Sequence, residues 1–287
     1  MTESATQESR SSQSTSQRFG EESVVIPERV PWSLLAQDFA ETWGRADPKD
    51  PQPESVEVLG IQGSGKTYWV CKAVQERMIV RHTPCIILQS KPDDSTITAL
   101  GWPIYANGEY QKALKDPWCV YWPQTNALGR ARRTYQADAF RNLLDRLWRP
   151  QANTIVVWDD IGYIQSLFTS DGESLNSYIE MYLREGRSVG LTNVLVKQRP
   201  QGAKREMHSE TKWTVAYKPK DEDDQERFAQ IMGNKKRYLP IFEQMSLDRH
   251  EFLIKHFVTD TEYISWVDTP LRPLARPKRE AAQRQQV

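Results

Sequence analysis

The sequence predicts an α/β protein, a mostly parallel sheet with helices on both faces and a C-terminal β-hairpin. Three observations predict it. Short apolar runs alternate with stretches of helical periodicity. A glycine-rich stretch, Gly60 to Thr67, stands between one such strand and one such helix. A later apolar strand ends in two acids, Asp159 and Asp160.

In chain order, residues 1–22 are almost entirely Ser, Thr, Gln, Glu and Arg and read as a disordered polar arm. Residues 23–55 form an N-terminal extension, with one helix from Pro31 to Arg45 whose apolar face is Trp32, Leu34, Leu35, Phe39 and Trp43. Strands are expected at Val56–Gly60, Cys85–Gln89, Thr154–Trp158, Asn193–Lys197 and Trp213–Tyr217. Helices are expected at Lys66–Arg81, Ala137–Trp148, Leu175–Leu183 and Gln225–Met232, the last preceded by Asp221 and Asp224 and stopped by Gly233. Glu251–Phe257 and Glu262–Val267 read as the hairpin. Residues 268–287 hold three prolines, with five basic residues against one acidic from 269 onward, and read as a basic disordered tail.

The whole chain of 287 residues balances 38 Lys+Arg against 38 Asp+Glu. That balance excludes a binder that relies on bulk positive charge. It is a sum of unlike parts, because residues 1–50 carry nine acidic against five basic residues while the far end is basic. Cys71, Cys85 and Cys119 lie far apart with no Cys-x-x-Cys pair, so neither a disulfide scaffold nor a zinc site is expected. No apolar run approaches the ~18 residues of a membrane span, and the first residues lack the pattern of a signal peptide. The expected setting is the cytoplasm, that of a bacterium or of a virus-infected host, with virion association open.

Gly60-Ile61-Gln62-Gly63-Ser64-Gly65-Lys66-Thr67 satisfies G-x-x-x-x-G-K-[ST]. Backbone N–H groups must turn inward around a polyphosphate with no Cβ in the way, which is why glycine recurs. The following helix N-terminus adds partial positive charge at the same place. Lys66 would reach the β- and γ-phosphates of a nucleotide, and Thr67 would give its hydroxyl to Mg²⁺. Such a site needs a carboxylate at the end of a neighbouring strand, and Asp159 supplies it as the outer metal ligand. Asp160 then stands where a base would orient the attacking water. Asn234-Lys235-Lys236-Arg237 lacks the aspartate of a guanine-reading motif, so ATP is favoured over GTP.

Beyond the second acid, Arg184-Glu185-Gly186-Arg187 leads through Gly190 into an apolar strand that finishes Gln198-Arg199-Pro200. Together with the phosphate loop, Ser90-Lys91-Pro92 after the next strand and the final hairpin, this pattern resembles the FtsK/HerA superfamily of ATPases over residues 56–267. The resemblance implies a RecA-like P-loop NTPase domain that works as a homo-oligomeric ring, a hexamer in the family, with ATP and Mg²⁺ and a translocated polymer such as double-stranded DNA. Viral genome-packaging ATPases belong to the group. By the same resemblance Gln198 matches the polar sensor of the γ-phosphate, and Arg184 or Arg187 matches the arginine offered to a neighbour's nucleotide. The family's usual Asp-Glu is Asp159-Asp160 here, one methylene shorter, which implies differently placed water or slow hydrolysis.

Two internal segments are basic. Residues 125–150 hold six arginines against two aspartates, with Arg130, Arg132 and Arg133 ahead of the expected helix. Residues 197–220 hold seven basic residues against two acidic, including Lys204, Arg205 and Lys212. As loops these would contact phosphates without reading bases; as ordinary solvated faces they would do nothing of the kind. A packaging-type DNA motor is the leading reading. The alternative is a nucleotide-switched assembly or secretion factor whose tails dock on a protein partner, and a small-molecule kinase is a distant third.

Overall fold

The computed structural model describes residues 24–43, 54–92, 94–106, 108–198 and 210–274. The arm 1–22, Arg199, Pro200, Lys204, Arg205 and residues 275–287 of the tail lie outside the described residues. Nine strands make one sheet: β1 Val56–Leu59, β2 Cys85–Leu88, β3 Ile104–Tyr105, β4 Trp118–Tyr121, β5 Thr154–Trp158, β6 Leu191–Lys197, β7 Trp213–Tyr217, β8 Phe252–His256 and β9 Thr261–Ser265. Their order is β3-β4-β2-β5-β6-β1-β7-β8-β9. The run from β3 to β7 is parallel, and β8 and β9 close it as the antiparallel hairpin. The edge at β9 is covered by the segment before the first helix, since Val30 N donates to Ile264 O and Ile264 N donates to Glu28 O, each at 2.9 Å.

Central strands are buried along their length because both faces are covered, and successive residues supply opposite cores. Val56, Val58, Ile87 and Val157 pack with α1 (Trp32–Thr42) and α2 (Lys66–Arg81). Ile86, Leu88, Val156 and Trp158 pack with α5 (Gly129–Leu147) and α7 (Leu175–Arg184). A third cluster sets α8 (Glu222–Ile231) and α9 (Lys235–Gln244) against Leu59, Ala216 and Leu253. Short helices α3 (Ser95–Thr98), α4 (Tyr110–Ala113) and α6 (Ile161–Ile164) and a 3₁₀ turn at Gly186–Val189 complete the described elements.

Several sequence expectations change. The N-terminal helix is part of the core: Trp32 and Phe39 meet Trp69 of α2 at 5.3 and 5.6 Å between ring centroids. Leu34, expected on its apolar face, is 69% exposed. Residues 268–274, expected as the start of a mobile tail, run along α2. There Ser33 Oγ and N donate to Asp268, Leu271 N donates to Tyr68 Oη at 2.8 Å, and Gln75 Nε2 donates to Arg272 O at 2.8 Å. Helix α5 begins at Gly129 instead of Ala137, so Arg130, Arg132 and Arg133 are helical. Helix α8 begins at Glu222 because Asp221 is its N-cap, accepting from Asp224 N at 2.8 Å. Strands β3 and β4 and helix α9 were not expected at all. They are short, or interrupted by Pro240, and carry too few residues for a period to emerge.

Two cations of the basic segment 197–220 have acidic partners within the fold. Lys197 is buried and ion-paired with buried Glu57 of β1, and Lys212 Nζ lies 3.3 Å from Glu54 Oε1. Burial works to raise the Glu54 pKa, but the His256 ring 3.3 Å away and the Trp213 indole N–H that donates to it at 2.6 Å outweigh that effect and hold the carboxyl below its ordinary range. A depressed carboxylate contributes stability above the ordinary range and loses it as pH falls through the lowered value. Glu54→Gln is therefore expected to destabilise the protein at pH 7, with the difference from wild type closing in acid. Urea melts at pH 7 and pH 3.5 check the sign.

Candidate active site

Parallel strands bring their C-terminal ends to one edge, and register decides which residues meet there. Leu59 of β1 lies beside Lys197 of β6, and Trp158 of β5 lies beside Leu195 of β6. The residues that follow, Gly60, Gln198, Asp159 and Asp160, are thereby gathered at that edge.

The loop after β1 turns tightly, with Ser64 N donating to Ile61 O at 3.2 Å. A Cβ on Gly60 would come within 2.8 Å of Tyr217 Cβ and 2.7 Å of Ser64 Oγ, so the close approach of β7 excludes any side chain. Gly65, with φ 99°, is the left-handed N-cap of α2, a conformation that favours glycine. Tyr217 Oη donates to Gly65 O at 3.1 Å and ties the loop to β7. Lys66 is nearly buried, and its Nζ donates to Ile61 O at 2.6 Å. Burial lowers its pKa to about 8, Lys91 adds to the effect, and Asp160 and Asp159 oppose it.

Beside the loop lies a cleft of about 400 Å³ that Lys66, Thr67, Lys91, Asp159, Asp160 and Gln198 help to line. Its size is that of a small-ligand site. Asp159 is buried, and among the described residues its Oδ2 has no hydrogen-bond partner. Burial raises its pKa to about 7 against the lowering effect of Lys91. A buried carboxylate oxygen without a partner is costly unless something binds it, and a hard cation next to the Thr67 hydroxyl is such a group. Asp160 caps α6 in the left-handed region (φ 59°, ψ 65°), a conformation uncommon outside glycine and concentrated at functional sites. Its Oδ2 accepts from Gln198 Nε2 at 2.7 Å.

On the other side of the loop, Gln62, Tyr217, Lys218, Leu247 and His250 help to enclose a second cavity of about 380 Å³. Helix α5 reaches over the same edge. Gln136 Nε2 donates to Ser90 O at 3.4 Å, so Gln136 lies level with the end of β2, and the turns before it, carrying Arg130, Arg132 and Arg133, project beyond the sheet. Tyr163 of α6 donates its hydroxyl to Gln136 Oε1 at 2.6 Å, and Arg133 Nη2 donates to Ser166 O at 2.8 Å. These bonds join the overhang to the segment that follows Asp160.

Of the residues singled out by sequence, the loop Gly60 to Thr67, Asp159, Asp160 and Gln198 come together. Arg184 and Arg187 do not. They are exposed and precede β6 at its other end, which a seven-residue strand places about 20 Å from the cleft. At that distance neither side chain reaches this cleft. Two contributors were missed. Lys91 follows β2 at the ligand-binding edge, and that position was the available signal. Tyr217 carries no local signal, because its role depends on β7 pairing with β1.

No family model matches the chain, and no curated protein matches it. Solved structures do. The genome packaging NTPase B204 from Sulfolobus turreted icosahedral virus 2, in complex with AMPPCP, is 13% identical, with a TM-score of 0.56 over 76% of this chain and 98% of that one. The same protein with ATP-γS gives 0.54 over 75% and 98%, again at 13% identity. VirB4 of Thermoanaerobacter pseudethanolicus is 9% identical, with a TM-score of 0.55 over 75% of this chain and 89% of that one. At such identities the likeness is one of fold, the mostly parallel α/β sheet of P-loop NTPases.

Proposed function

On this fold and cleft we propose that the chain is a Mg²⁺-dependent ATPase that works as a ring-forming motor on double-stranded DNA, in the manner of a genome-packaging ATPase. The observation that carries the reading is the convergence of Lys66, Asp159, Asp160 and Gln198 on one cleft beside the phosphate loop. The loop N–H groups and the N-terminus of α2 bind the polyphosphate. Lys66 leaves Ile61 O for the β- and γ-phosphates. The second cavity, on the β7 side of the loop, takes the nucleoside. Thr67 and Asp159 hold Mg²⁺, which neutralises charge on the phosphates when bound. Asp160 orients the attacking water, Gln198 senses the γ-phosphate, and Arg184 or Arg187 completes the site from a neighbouring subunit.

For the polymer, Arg130 and Arg132 are the favoured contacts. Neither has an acidic neighbour in the first turn of α5, and basic side chains there oppose the helix dipole. Among the described residues no helix is long and apolar enough to cross a membrane.

ATP turnover measured with and without duplex DNA across a salt series tests the reading. DNA is expected to stimulate turnover, and the double substitution Arg130→Ala, Arg132→Ala to flatten the salt dependence of DNA binding by about two phosphate contacts. Turnover indifferent to DNA would remove the motor and leave the ATPase. A nucleotide-switched assembly factor is then the better reading. Asp160, one methylene shorter than the family's glutamate, favours the slow hydrolysis such a switch needs.

A further inference from the structure

In the proposed site Asp160 is the base, yet its carboxylate is engaged on both oxygens. Oδ1 accepts from Tyr163 N at 3.4 Å, within the α6 cap. Oδ2 accepts from Gln198 at 2.7 Å and lies 3.5 Å from Lys91 Nζ. A carboxylate oxygen that already holds an amide donor and faces an ammonium is poorly available to water. The two groups that occupy it come from different elements, the turn after β2 and the end of β6, and both line the phosphate cleft.

Lys91 is built to exchange partners. Its side chain is 44% exposed, and Asp160 is its one ion-pair partner among the described residues. A pair so open to solvent contributes little, about 0–1 kcal/mol. A terminal phosphate placed beside it carries more negative charge than a carboxylate and three acceptor oxygens, and a lysine on its flexible stem binds phosphate as a point charge. Lys66 already serves the loop side of the cleft; Lys91 approaches from the opposite side, next to the base.

We propose that Lys91 is a second phosphate-binding cation of this site, held on Asp160 until a γ-phosphate draws it away. The arrival of a triphosphate then does two things at once. It gains a cation, and it removes one of the two contacts on Asp160 Oδ2, leaving the bond from Gln198 on the carboxylate that orients water. A diphosphate lacks the group that competes for Lys91, so the base stays covered after hydrolysis. This inference rests on the reading of the cleft as an ATP site, and adds to it the side chain that tells triphosphate from diphosphate.

Calorimetric affinities for Mg·AMPPCP and Mg·ADP test it without relying on turnover. Lys91→Ala is expected to weaken AMPPCP binding about tenfold, the effect of one charge-assisted hydrogen bond, and to leave ADP binding within about twofold. Lys91→Arg, which keeps the charge, is expected to restore most of the preference. ADP binding also reports that each variant is folded. Equal losses for both nucleotides, or no loss for either, would overturn the role of Lys91 while leaving the nucleotide site intact. A wild-type protein that binds neither nucleotide would overturn the site itself.

Discussion

Lys66→Ala is expected to lower Mg²⁺-dependent ATP turnover by at least ~10²-fold, the scale on which removing one transition-state donor acts, while the protein stays folded. Lys66 is anchored at the start of α2, nearly buried, and among the described residues its ammonium bonds to a carbonyl of its own loop. The bond to Ile61 O keeps the ammonium where the phosphates arrive and costs little to give up. Desolvation has already lowered its pKa to about 8, and the phosphates restore preference for the charged form. Alanine removes that charge without leaving a large cavity in the apolar core. Steady-state turnover, with a thermal melt as the control for folding, reads the effect. Hydrolysis that survives at the wild-type rate would place the chemistry elsewhere.

The second large effect lies far from the chemistry. Phe39 of α1 sits among four rings, with centroid distances of 5.4 Å to Trp32, 5.1 Å to Trp43, 5.6 Å to Trp69 and 4.9 Å to Trp213. Trp69 belongs to α2 and Trp213 to β7, so this one side chain joins the N-terminal extension to the helix and the strand that frame the phosphate loop. Truncating a fully enclosed phenylalanine costs ~3–5 kcal/mol, a large share of the ~5–15 kcal/mol that stabilises a domain. Phe39→Ala is expected to lose that much in urea denaturation and to weaken nucleotide binding by loosening α2. A loss below about 1 kcal/mol, the size of an ordinary surface change, would mean that α1 is an appendage and not part of the core.

Much of the edge that carries the cleft was legible before folding because it is written in contiguous residues. The phosphate loop needs glycines, a lysine and a hydroxyl in a row, and the strand ending in Asp159-Asp160 needs only an apolar run and its neighbours. The long helices announced themselves through their period. Short elements such as β4, four residues between Pro117 and Pro123, gave no pattern to read. The basic stretches misled for a different reason. Charge counted along a line does not distinguish Lys197, buried against Glu57, from Arg130, which projects into solvent.

The chemistry of each segment was decided locally, and the partners of each side chain were decided by strand order. Placing β6 between β5 and β1 puts Gln198 on Asp160, 38 residues away in sequence. Placing β2 beside β5 brings Lys91 to the same oxygen. Placing β7 beside β1 seals the loop with Tyr217. No local pattern carries these contacts, because hydrogen-bonded pairing between strands depends on the register of the whole sheet and not on the residues next in line.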